Sequence, residues 1–169
     1  MNNLFDIACN FSSDRFDKDL DAVIERAKIN NVNKFLIVSA SLNDFEKTYN
    51  IYKSNLKEAF FSIGTHPHHA DEINEEQIKN MRRLVGEHNP SCIGETGLDF
   101  FRNLSSHDEQ TFAFQEQIKI AIDFNKPLYL HQRDSHSEFI KIISEYKDYL
   151  PKSVVHCFTG TQSELEDYL

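Results

Sequence analysis

At 169 residues, 40% hydrophobic and 27% charged, the chain has the size and balance of one soluble domain able to bury a core. Its net charge of −9 argues against broad clamping of a nucleic-acid duplex, which needs many Lys and Arg contacts to phosphate. That charge still permits an enzyme that handles phosphate through bound cations, whose charge the residue count omits.

No apolar run reaches the roughly 18 residues of a membrane span, and the first residues lack the basic and apolar sections of a secretory signal. Cys9, Cys92 and Cys157 are odd in number, far apart and set in apolar strand-like segments. Three buried free thiols are expected, and hence a reducing compartment: the cytoplasm, or the nucleus in a eukaryote.

Leu4 to Ile7 is the first predicted strand, and Phe16, Leu20, Val23, Ile24 and Ala27 recur at helical spacing after it. Phe35 to Val38 is a β-branched strand, followed by a helix on Leu42, Phe45 and Tyr49. Phe60 to Ile63 is the third strand, and Ile78, Met81, Leu84 and Val85 mark a helix ending near Gly86. Cys92 to Gly94 is the fourth strand, delivering Glu95 just past its end, with Gly94 and Gly97 read as tight turns on either side. Leu128 to Leu130 and Val154–Val155 are the fifth and sixth strands. Ser106 with Glu109, Ser135 with Glu138 and Thr161 with Glu164 have the spacing of capping boxes that start the last three helices.

Six strand–helix units without strand alternation imply a parallel sheet buried on both faces, either doubly wound or a (β/α) barrel. One domain over 1–169 is expected, since no linker or low-complexity stretch interrupts it.

Polar residues collect where these strands end. Asp6 and Asn10 accompany the first, His66 and His68 follow the third, Glu95 and Asp99 the fourth, His131 and Arg133 the fifth, and His156 the sixth. In a parallel barrel these ends share one face, where such folds keep their active sites. Glu95, His131 and His156 are one unit apart and mix carboxylate with imidazole, a donor set suited to Zn²⁺, Mn²⁺ and related ions. His66 precedes a proline directly after a strand and is a candidate catalytic residue, with His68 beside it as a candidate substrate contact. Arg133 either grips a substrate phosphate or pairs with Asp134. Asp99 either orients a metal ligand from behind or caps a turn. His69, His88, His107 and His136 are assigned to the surface or to helix ends.

Phe5-Asp6-Ile7-Ala8-Cys9-Asn10, Gly64-Thr65-His66-Pro67-His68, Ile93-Gly94-Glu95-Thr96-Gly97-Leu98-Asp99, Leu130-His131-Gln132-Arg133-Asp134 and Val155-His156-Cys157-Phe158-Thr159-Gly160 resemble, in order, the signatures of the TatD-type metal-dependent deoxyribonucleases. The resemblance implies an amidohydrolase-like (β/α)8 TIM barrel, of which about six βα units lie in this chain. It implies Glu95 as a carboxylate shared between metal ions, with His131 and His156 as further ligands. His66 would be an active-site histidine, and Asp6 and Asn10 would support the metal site. The implied cofactor is Mg²⁺, Mn²⁺ or Zn²⁺, one or two per site, and the implied reaction is hydrolysis of DNA phosphodiester bonds, often from an end. Two departures stand out. Ala8 and Asn10 occupy positions where many members carry histidine, and the eighth-strand aspartate of the family lies beyond Leu169. The expectation is therefore a C-terminally truncated barrel whose open edges favour self-association. Hydrolysis of a non-nucleic-acid amide, ester or lactone, and a catalytically silent fragment, are the alternatives.

Overall fold

The computed structural model describes residues 3–55 and 57–169. Its strands are β1 (Leu4–Cys9), β2 (Val32–Ile37), β3 (Ala59–Ile63), β4 (Cys92–Asp99), β5 (Leu128–Arg133) and β6 (Ser153–Val155). The helices are α1 (Leu20–Ile29), α2 (Phe45–Ser54), α3 (Glu75–His88), α4 (His107–Asp123), α5 (His136–Tyr146) and α6 (Gln162–Glu166). All strand pairs are parallel, and the spatial order is the chain order, β1-β2-β3-β4-β5-β6. A doubly wound sheet would reverse that order at a switch point. Winding in one direction instead gives a curled segment of a barrel, in agreement with the expected fold class.

Alternation along the strands sorts the core into two layers, because successive side chains point to opposite faces of a sheet. Phe35, Ile37, Phe61, Ile63, Ile93, Leu128 and Leu130 belong to the main core, together with Met81, Phe114, Ile118 and Phe139 from the helices. Leu36, Val38, Cys92 and Tyr129 form a smaller cluster on the inner face. That inner face is incompletely covered at its flanks, where Phe5, Ile7 and Val154 are exposed. Among the described residues β1 pairs only with β2, and β6 only with β5.

Several expectations need correction. The strand β4 runs on to Asp99, so Glu95 lies inside it rather than past its end. Gly94 and Gly97 are not turns but points of close approach. A Cβ on Gly94 would overlap the Tyr129 carbonyl, one on Gly97 the His131 carbonyl, and both have φ near +140° (140° and 142°). The absence of side chains there lets β4 lie tight against β5 and keeps Glu95 over His131. The helix α3 passes Gly86 and ends at Asn89, which takes the left-handed conformation. The capping boxes of Ser106 and Thr161 form, but Ser135 does not cap α5; its hydroxyl donates to the Leu98 carbonyl at 3.2 Å. Gln132 caps α5 instead, its amide oxygen accepting from the Ser135 and His136 N–H groups. All three thiols are free, but Cys157 is exposed, not buried.

Candidate metal centre and active site

The C-terminal ends of β3 to β6 bring four side chains to one point. Glu95 Oε1 lies 2.7 Å from His156 Nε2, 3.0 Å from His131 Nδ1 and 3.4 Å from His66 Nε2. All four side chains are mostly buried. Burial by itself would raise the Glu95 pKa. Hydrogen bonds from His131, His156 and His66 outweigh it and hold the carboxyl far below its ordinary range.

Each histidine has a distinct outer partner, and the partner decides what the ring can do. His131 turns Nε2 to Asp99 Oδ2 at 3.2 Å. With its Nε2 proton held by Asp99, the ring could release the Nδ1 proton that it now shares with Glu95 and turn that lone pair to a cation, the arrangement of a carboxylate-supported metal ligand. His156 stacks on Tyr129, ring centroids 4.5 Å apart, and its Nδ1 is buried without a protein partner. His66 Nδ1 accepts the backbone N–H of His68 at 3.1 Å. Neutral His66 therefore carries its proton on Nε2 and points a donor, not a lone pair, at Glu95. Burial lowers its pKa despite the opposing pull of Glu95, which keeps the ring neutral.

His66, Glu95 and His131 offer donor atoms all within 4.8 Å of one another, close enough to hold an ion. His156 stands outside that mutually close group, although its Nε2 is the nearest of the three imidazole nitrogens to Glu95 Oε1.

Asp99 is buried and accepts from His68 Nε2 at 2.7 Å, from His131, and from the Arg102 N–H at 2.8 Å. Burial pushes its pKa up, and these hydrogen bonds and the neighbouring histidines bring it below the ordinary carboxylate value. The strand pairing sets this geometry, since Gly97 stands opposite His131 and Asp99 opposite Arg133.

Not every expected residue arrives. Asp6 is exposed, its carboxylate accepts the Ala8 N–H at 2.9 Å, and no hydrogen bond joins it to the four clustered side chains among the described residues. Asn10 lines the cavity of about 320 Å³ that Ala8, His66, His68, Glu95 and His156 also border. Arg133 forms no ion pair with Asp134 among the described residues; its guanidinium lies over the Phe101 ring, 4.6 Å from the centroid. His69 bonds Glu72, His107 stacks on Phe100, and His136 bonds Asp167 and Tyr168, so these serve local structure. A larger cavity of about 590 Å³ opens between the starts of α5 and α6. Of its titratable groups, His136 is held in those bonds, Glu138 by Lys141 and Glu164 in the cap of α6. The chemistry belongs to the smaller cavity.

Two amides escaped the sequence reading. Gln117 on α4 accepts the Thr65 N–H at 2.8 Å and donates to the Thr65 carbonyl at 3.0 Å, fixing the residue before His66. Gln110, two turns earlier, accepts the Asp99 N–H at 2.8 Å and donates to the Asp99 and Ser105 carbonyls. The available signal was their place on the helix face of Phe114, Ile118 and Ala121, where a polar residue must find a buried partner.

Fold and site together define a barrel-type α/β protein with a carboxylate–imidazole centre suited to a divalent cation. The chain belongs to the TatD related DNase family, whose sequence profile matches residues 5–169. It is 39% identical over 164 residues to a 3'-5' ssDNA/RNA exonuclease TatD of Cronobacter sakazakii, covering 97% of this chain and 62% of that protein. It is 36% identical over 162 residues to the protein of the same description from Pantoea ananatis, covering 96% and 62%. The chain thus spans about 62% of the length of these curated relatives. Among solved structures, a TatD family hydrolase from Entamoeba histolytica superposes with TM-score 0.88 at 27% identity, over 98% of this chain and 62% of the other. A TatD homologue from Escherichia coli, 23% identical, shares the fold with TM-score 0.88 over 98% and 64%. No helix among the described residues is long and apolar enough to cross a membrane.

Proposed function

We propose that this chain is a single TatD-like hydrolase domain that cleaves phosphodiester bonds of DNA from an end with the help of Mg²⁺, Mn²⁺ or Zn²⁺. The convergence of three imidazole nitrogens on Glu95 Oε1 carries this reading. The relatives described as single-strand exonucleases support it. Glu95, His131 and His156 would hold the ion. The donor set fits, with an anionic carboxylate, one imidazole braced by Asp99 and a second, His156, whose Nε2 lies 2.7 Å from Glu95 Oε1. A bound divalent ion supplies positive charge for the phosphate oxygens and acidifies water.

The remaining work falls to the chain's own groups. His66, neutral and protonated at Nε2, donates a hydrogen bond to a substrate phosphate oxygen. Asp99 holds His68 and His131 in orientation. Arg133, without an ion pair among the described residues, offers a fork that matches phosphate.

The experiment is digestion of an end-labelled single-stranded oligonucleotide by the chain, with and without each metal, beside Glu95→Gln. Stepwise shortening that needs metal and vanishes in Glu95→Gln is expected. The net charge of −9 favours a second reading, hydrolysis of an uncharged ester or amide at the same centre. Ester or amide turnover without nucleolytic cleavage would select it.

A further inference from the structure

We infer that Phe101 and Arg133 form a stacking subsite for an unpaired nucleobase at the ends of β4 and β5, where Arg133 stands opposite Asp99, the residue that bonds His131. The inference rests on the nuclease reading above and narrows its substrate to a single strand. Phe101 is the second residue after β4, and 59% of it is exposed, which is unusual for a large aromatic beside a buried carboxylate cluster. One face of the ring is covered by the Arg133 guanidinium at 4.6 Å, leaving the rest of the ring to solvent.

The platform is held in place. The Phe100 N–H donates to the Arg133 carbonyl at 2.9 Å, and Phe100 stacks on His107 with centroids 3.6 Å apart. The Arg102 N–H is tied to Asp99 Oδ1, so the turn carrying Phe101 is anchored to the residue that braces His131.

Charge points the same way. Arg133 enters no ion pair among the described residues and lies over the Phe101 ring, so a base stacked there would have a guanidinium at hand for its phosphate. Aromatic stacking takes any base but requires it to be unstacked and unpaired, which a duplex denies. The cation–π contact with Arg133 helps to hold the Phe101 ring in place.

The test measures binding of two labelled strands of equal length in EDTA, one with ordinary bases and one built of abasic sugar-phosphates, to the unaltered chain, Phe101→Ala and Phe101→Trp. Phe101→Ala should weaken binding of the ordinary strand about 5- to 100-fold, as expected for one lost base stack, and leave the abasic strand unaffected. Phe101→Trp should bind the ordinary strand at least as tightly as the unaltered chain. Equal losses on both strands, or no loss on either, would overturn the subsite while the nuclease reading stands. Failure of the unaltered chain to bind the ordinary strand more tightly than the abasic one would also overturn the subsite, and the metal-dependent digestion above decides the nuclease reading separately.

Discussion

Replacing Gln117 by Met tests whether α4 positions His66. The substitution keeps length and approximate volume but removes both ends of the amide. It orphans the Thr65 N–H and the Thr65 carbonyl, which are held at 2.8 and 3.0 Å on a residue only 1% exposed. An unsatisfied buried backbone group costs about 1–3 kcal/mol. Two such groups, less the burial cost of the amide that is no longer present, give about 2–4 kcal/mol. A domain with about 5–15 kcal/mol of stability survives this loss but is visibly weakened. With a urea slope of about 2 kcal/mol per M, the midpoint should fall by about 1–2 M at unchanged slope. Turnover should fall up to about a hundred-fold in the variant that remains folded, the scale of a misplaced group. A midpoint shift below about 0.3 M would refute the claim that the amide holds this loop.

Other perturbations act on the site and the sheet edges. Asp99→Asn keeps an acceptor for the Arg102 N–H but loses the charge behind His131, so calorimetric affinity for Zn²⁺ or Mn²⁺ should drop about 10–100-fold; a change under about twofold would count against that bracing. Burial lowers the His66 pKa from 6.5, and hydrogen bonds lower that of Glu95 from 4.5. Both values are depressed on folding, so the stability they contribute is complete above 6.5 and is lost as pH falls, first below 6.5 and then below 4.5. Urea midpoints in EDTA should follow this course, and His66→Asn should flatten its upper part. The exposed Phe5, Ile7 and Val154 beside the outer strands predict self-association of the chain, which Phe5→Lys with Val154→Lys should reduce in sedimentation. A monomer at every concentration would contradict it.

The residues that gather at Glu95 were legible in the sequence because few residue types can bind metal, and their recurrence at strand ends follows from the βα period. Helix starts were legible where capping boxes are local, as at Ser106 and Thr161. Ser135 has the same spacing but is drawn to the Leu98 carbonyl, a partner 37 residues away that spacing cannot reveal. Gly94 and Gly97 looked like turns for the same reason, since their close neighbours belong to β5. Gln110 and Gln117 read as interruptions of an apolar face, and their partners became visible only with the packing of α4 against β4 and the His66 loop.

The central claim is that Glu95, His131 and His156 share one cation. Anomalous diffraction from crystals soaked in Mn²⁺ or Zn²⁺ measures this directly. A peak is expected about 2.0–2.3 Å from Glu95 Oε1, His131 Nδ1 and His156 Nε2, with His66 Nδ1 still accepting the His68 N–H. No peak between these atoms, or an ion held through His66 in place of His156, would contradict the account.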